Sequence, residues 1–170
     1  MSEKKQYLLE DITTDLQLFS AEVAVHSLWY RDFFKDLELT GLRFCELQDF
    51  SRWSPGVYET VICDTAKDSN NREFRSDEFF SDFYSRVWAA DNIYKRINNS
   101  TASYYFHSFH PMQRIYVEDK FLTNHLFRHH KAKYMKHRGY SDEEIRAYFG
   151  EVSILNIQGY IYSDIWCITR

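Results

Sequence analysis

A stripe of apolar residues through the first forty positions restricts this chain most. Leu8, Ile12, Leu16, Phe19, Val23, His26, Tyr30, Phe33 and Leu37 follow one another at steps of three and four. That is the period of a helix with one face against a core, whereas a half-buried strand would alternate. Thr13-Thr14-Asp15 favour caps over helix interiors, so the stripe predicts one helix or two. Gly41 supplies the left-handed conformation that closes helices. On this reading His26 is a core histidine with a satisfied ring.

The segments that follow are shorter. Leu42–Leu47 and Val57–Thr65 read as strands, Trp53-Ser54-Pro55-Gly56 as a turn, and Lys67–Arg72 as a loop. Ser76 caps a second long helix from Asp77 to about Asn98, with Phe79, Phe83, Val87, Ala90, Tyr94 and Ile97 on its apolar face. Ala102–His110 and Gln113–Val117 are expected to form an antiparallel pair. A third helix is expected from Lys120 to His137, stopping at Gly139. Ser141 and Glu144 form a capping box, with Tyr140 and Ile145 as its hydrophobic staple, for a short helix ending at Gly150. Glu151–Ile157 and Tyr160–Thr169 then read as a hairpin around Gln158-Gly159.

These elements predict an α+β fold in one domain covering residues 1–170, an antiparallel sheet packed against two long amphipathic helices. A curved, cone-like sheet would accommodate them, an order of elements similar to that of the NTF2-like domains. The likeness is one of element order alone, and it implies no function.

Aromatic residues make up 18% of the chain, with 14 Phe, 13 Tyr and 4 Trp, enough to supply both a ring-rich core and rings that face a partner. The three cysteines, Cys45, Cys63 and Cys167, are scattered and odd in number. Disulfides are therefore not expected, which fits a cytoplasmic protein. The polar start MSEKKQY does not read as a signal peptide. No apolar run approaches the ~20 residues that span a bilayer.

Charge is placed unevenly. Residues 1–100 carry 12 basic and 18 acidic side chains, a balance of −6, and residues 101–170 carry 9 and 7, a balance of +2. The segment 120–138 holds six Lys or Arg and no acid. Lys120, Arg128, Lys131, Lys133, Lys136 and Arg138, with Tyr134 among them, present donors for phosphate or carboxylate and a ring for stacking. They form the expected partner-binding surface of a small regulator or inhibitor. Its expected partner is a protein or a nucleoprotein, with RNA or DNA contact allowed. The acidic half offers a second docking surface, where Asp32, Asp36, Glu38, Glu46 and Asp49 lie near Trp29, Tyr30 and Phe34.

The rival reading is catalytic. Six of the seven histidines fall between residues 107 and 137. His107 or His110, facing His125 or His129, would make an acid–base pair, with Arg114 or Lys133 holding phosphate, as in a histidine-dependent nuclease or hydrolase. His125 and His129 also have the spacing that puts two metal ligands on one helix face. The remaining ligands would have to come from His107, His110, Glu118 or Asp119, so no metal and no cofactor are expected. A third reading is a small-molecule pocket lined by Tyr104, Phe106, Phe109 and Trp166.

Overall fold

A computed structural model describes residues 3–48, 53–55, 60–64, 71–75, 94, 97–109, 115–117, 120–121, 125–151 and 153–169. The apolar stripe becomes two helices, α1 (Leu9–His26) and α2 (Leu28–Thr40). The break falls at Ser27, whose hydroxyl caps α2 by accepting from the Tyr30 amide at 3.2 Å. Thr13 does not interrupt α1 because its hydroxyl finds an acceptor on the preceding turn, the Leu9 carbonyl at 2.8 Å. Ile12, Leu16, Phe19, Val23, Phe33 and Leu37 are buried as their spacing predicts. His26 is not a core residue: it lies exposed at the end of α1, near the Tyr105 ring.

Three segments expected as strands are helical. The first, α3 (Phe44–Gln48), replaces the strand expected at Leu42–Leu47. Its start is fixed by Glu46, whose carboxylate accepts from the Arg43 amide at 2.8 Å. The second is α4 (Asn99–Ser108), where the Asn98 side chain caps the Thr101 amide at 3.1 Å and Ala102 and Phe106 are buried four residues apart. The third is α7 (Ile154–Tyr162), which occupies the expected hairpin. Ile157 and Ile161 form its buried face, and Gly159 sits within the helix.

The sheets are small. β1 (Glu3–Gln6), β7 (Ile165–Thr169), β5 (Ile115–Val117) and β6 (Lys120–Phe121) lie side by side in that order, all antiparallel. β2 (Trp53–Pro55), β3 (Thr60–Asp64) and β4 (Asn71–Arg75) form a separate antiparallel meander. The arrangement is α+β, but two sheets stand where one cone-like sheet was expected. The helix expected over 77–98 lies outside the described residues for most of its length.

α5 (His125–His137) begins five residues later than expected, because Lys120–Phe121 pair with β5. It packs against α1 and α2 on one side and against α7 and α6 (Asp142–Phe149) on the other. Leu126 and Phe127 join the cluster built on Phe19, Phe33 and Phe34, while Ala132 and Met135 join Ile145, Phe149, Ile157 and Ile161. A helix enclosed on two sides buries its polar residues as well as its apolar ones, and this places the charges discussed below.

α6 starts as its sequence predicts. The Ser141 hydroxyl accepts from the Glu144 amide and the Glu144 carboxylate from the Ser141 amide, each at 3.1 Å. Ser141→Ala is expected to lower stability by about 1 kcal/mol, read from urea melts, and an unchanged midpoint would show that the box contributes nothing. Gly41 and Gly150 close α2 and α6 in the left-handed conformation, at φ 67° and 66°. Gly41 is doubly constrained, since a Cβ there would stand 2.8 Å from the Phe149 ring.

Candidate functional site

The basic residues of α5 do not form one solvated face. Arg128 is 2% exposed and Lys131 3%, and His129 and His130 are buried beside them. Lys131 lies against the rings of Tyr134 and Tyr148. Lys133 donates to the carbonyls of Ile161 and Ser163 at 2.9 and 2.7 Å, satisfying the C-terminal end of α7. Lys136 pairs with Asp142 at 2.9 Å. Tyr134 is exposed but its ring stacks on His130, Arg138 is exposed, and Lys120 belongs to β6.

The acidic docking surface turns inward in part, for Asp32, Glu38 and Tyr30 are half-buried and Trp29 is exposed. Asp36 and Glu46 are buried with Phe34, and Asp36 accepts a hydrogen bond from the Tyr94 hydroxyl. Asp49 lies outside the described residues. The four rings expected to line a pocket gather only in part: Tyr104 and Phe109 line a cavity of about 330 Å³ between α1 and α4, while Phe106 packs on Phe19 in the core and Trp166 stacks on Tyr116 in the sheet.

The histidines separate by environment. His129 makes a 2.9 Å contact with the Ser163 hydroxyl and a hydrogen bond to the Tyr160 backbone, so it ties α5 to the end of α7. His130 contacts Thr13 of α1 at 3.1 Å. Burial, reinforced by Lys133 and His125, pushes the His129 imidazole down to about 3, and burial with Lys131 lowers His130 to about 4. His125 is exposed, as is His107 in the last turn of α4. His110, Arg114, Glu118 and Asp119 lie outside the described residues. Among the described residues, no group of three or more His, Cys, Asp or Glu is placed to hold a metal.

Those two buried imidazoles predict acid sensitivity. Each is neutral when folded and takes its proton more readily when unfolded, at an ordinary value of about 6.5. Their contribution is complete above that value and is lost as pH falls towards 4 and 3. The thermal midpoint is expected to fall between pH 6.5 and pH 4, and to fall less steeply in His129→Asn than in the parent chain. Parallel curves for the two would show that His129 does not drive the loss.

A different set of residues converges. A pocket of about 280 Å³ is lined by Leu42, Arg43, Phe44, Cys45, Asn99, His125 and Arg128. Gly41 ends α2, and the following turn carries Arg43 to the mouth of α3. His125 and Arg128 are three apart on α5 and so share a face. Arg128 donates to the Gly41 carbonyl at 2.9 Å, which joins the two walls. The loop after α6 brings in Glu151, whose Oε1 accepts from Arg43 Nη2 at 3.3 Å and from Arg128 Nη2 at 3.1 Å. Glu46, fully buried, faces the same guanidiniums at 3.3 and 3.8 Å. Tyr160, from α7, puts its hydroxyl 3.5 Å from His125 Nδ1, and its ring lies 5.2 Å from the Arg128 guanidinium.

Of the residues singled out from the sequence, His125, Arg128 and Glu46 belong to this cluster, Glu46 as an internal partner of the guanidiniums and not as part of an exposed acidic surface. Arg43, Glu151 and Tyr160 were missed. Arg43 and Tyr160 sat in segments read as strands, where their side chains had no reason to meet α5. The signal available was the step of three and four between Ile154, Ile157 and Ile161, which marks a helix and places Tyr160 on it.

No helix among the described residues is long and apolar enough to cross a membrane. No family model matches the chain. No curated protein matches it. Among solved structures, the chain is similar to a XerA recombinase, with a TM-score of 0.59 and 20% sequence identity. The match covers 92% of this chain and 58% of that one, so the chain spans a little over half the length of the recombinase. Identity this low establishes a shared fold.

Proposed function

We propose that this chain is a DNA phosphoryl transferase that cuts and rejoins strands, with Tyr160 as nucleophile and Arg43 and Arg128 as the phosphate-binding residues. The observation that carries the reading is the meeting of two guanidiniums on one anionic oxygen, beside an imidazole that reaches a phenol. Guanidinium forks suit phosphate oxygens, and they stabilise the charge that develops on them during transfer. A tyrosine hydroxyl is a competent covalent nucleophile when a base takes its proton.

In the step proposed, the Tyr160 oxygen attacks a backbone phosphorus and the ester bond to one sugar oxygen breaks. The phenolic proton passes to His125 Nδ1, a role supported by its 3.5 Å distance from the hydroxyl, and the departing sugar oxygen takes a proton from the resulting imidazolium or from solvent. One phosphodiester is exchanged for another, so the reverse attack by a sugar hydroxyl rejoins the strand without an external energy source. Strand exchange of this kind is what recombination requires, and the likeness of fold to a recombinase supports the reading. Tyr162 is not assigned this role, because its hydroxyl lies on Asp142 at 2.8 and 3.0 Å, whereas the Tyr160 hydroxyl lies beside His125 and its ring beside Arg128.

A regulator that grips its partner through the basic run of α5 has less support, because Lys131 is interior, Lys133 is held by the end of α7 and Lys136 pairs with Asp142. The test is to incubate the chain with a pool of labelled duplexes and denature it in detergent. A covalent protein–DNA adduct is expected, with the phosphate mapped by peptide sequencing to Tyr160. DNA binding with no adduct would remove the nucleophile and leave a binding protein.

A further inference from the structure

Glu151 stands where a ligand oxygen is needed. Its Oε1 alone receives one Nη2 donor from each arginine, the arrangement that a non-bridging oxygen of a phosphodiester would adopt between two forks. The carboxylate is 4% exposed, and the second acid, Glu46, is fully buried behind the same guanidiniums. Among the described residues the two guanidiniums already face two carboxylates, so a free anion gains little by approaching them. Glu46 is fixed by its bond to the Arg43 amide. Glu151 carries no such bond on its carboxylate; its backbone is what is anchored, through its carbonyl to Arg146 at 2.6 Å, next to the left-handed Gly150. Its side chain is therefore the member of the cluster able to leave.

We propose that Glu151 is a specificity-determining residue, an internal competitor that occupies the phosphate position until a polymeric phosphodiester displaces it. The inference rests on the proposed reading of the pocket as a phosphate site. Small free phosphates supply too few contacts to displace a tethered carboxylate. A duplex gripped at several phosphates supplies more, and it holds the reacting one at high local concentration. Glu151 thereby admits DNA and refuses inorganic phosphate.

The probe is inorganic phosphate, titrated by calorimetry at constant ionic strength into the parent chain and into Glu151→Gln. The variant keeps the shape and removes the charge. Its affinity for phosphate is expected to rise by roughly tenfold or more, the scale of one charge-assisted interaction. Glu151→Asp, which keeps the charge but withdraws it by one methylene, should bind phosphate with intermediate affinity, and it serves if the glutamine variant does not fold. Equal or weaker phosphate binding in the variants would overturn the proposal, making Glu151 a clamp that holds the arginines in place. Duplex binding by the parent chain and by Arg43→Gln separates the two levels. If Arg43→Gln weakens the parent's duplex binding while phosphate affinity is unimproved in the Glu151 variants, only the competitor fails. If duplex binding is absent, or indifferent to Arg43, the phosphate site and the competitor fail together.

Discussion

Tyr160→Phe is expected to lower strand cleavage by at least about a thousandfold while leaving DNA affinity within a few-fold, the signature of a lost nucleophile. The substitution deletes one oxygen. The ring that packs edge-on to His129 at 4.8 Å and faces Arg128 remains, so α7 keeps its seat and the arginines keep their geometry. Tyr162→Phe is the matched control. Its hydroxyl is engaged by Asp142 on the surface, and its loss should leave cleavage near the parental rate. His125→Ala should fall between, with a loss of roughly a hundredfold to ten-thousandfold if its imidazole takes the phenolic proton. Equal activity in Tyr160→Phe and the parent chain would end the proposal. Activity lost in Tyr162→Phe as well would point to a folding defect shared by the end of α7.

The second large effect is on stability. Arg128→Ala removes a guanidinium that is 2% exposed and bonded to Glu151, to the Gly41 carbonyl and, at longer range, to Glu46. Both buried carboxylates then lose a guanidinium, and Arg43 still faces them. Removing one partner of a buried pair typically costs about 3–5 kcal/mol, far more than the pair itself contributes, because the orphaned charge keeps its desolvation penalty. A fall of that size in urea unfolding is expected, and Arg128→Ala combined with Glu151→Gln should recover part of it. Arg43→Ala should cost less, since that side chain is 15% exposed and water can replace it. A loss below about 1 kcal/mol in Arg128→Ala would mean that solvent reaches the cluster and that its neutral pairing is not structural.

These two expectations concern residues that the sequence presents very differently. Periodicity placed a helical stretch with Ile12, Leu16, Phe19, Val23, Phe33 and Leu37 on its buried face, but not the break at Ser27 that divides it into α1 and α2. Local hydrogen bonding placed the start of α6, where Ser141 and Glu144 satisfy each other's amides within four residues. Gly41, Gly139 and Gly150 marked helix ends because a positive φ is cheap there and nowhere else in the chemistry of the chain. Each of these is decided within a few residues of itself.

The remaining features depend on what lies across the fold. Lys, Arg and His along α5 look like a solvated face in one dimension. Enclosure by α1 and α2 on one side and α6 and α7 on the other turns Arg128, His129, His130 and Lys131 into interior residues with assigned partners. Short apolar runs suit strand and helix alike, and local hydrogen bonds and packing made helices of Phe44–Gln48, Asn99–Ser108 and Ile154–Tyr162. The sequence by itself determined that the apolar stripe from Ile12 to Leu37 is helical, that α2 stops at Gly41 and that α6 lies between Ser141 and Gly150, because those energies are local. Only the tertiary structure decided that Arg43, His125, Arg128, Glu151 and Tyr160 share one site. Charges so far apart in sequence meet only once packing has removed the water between them.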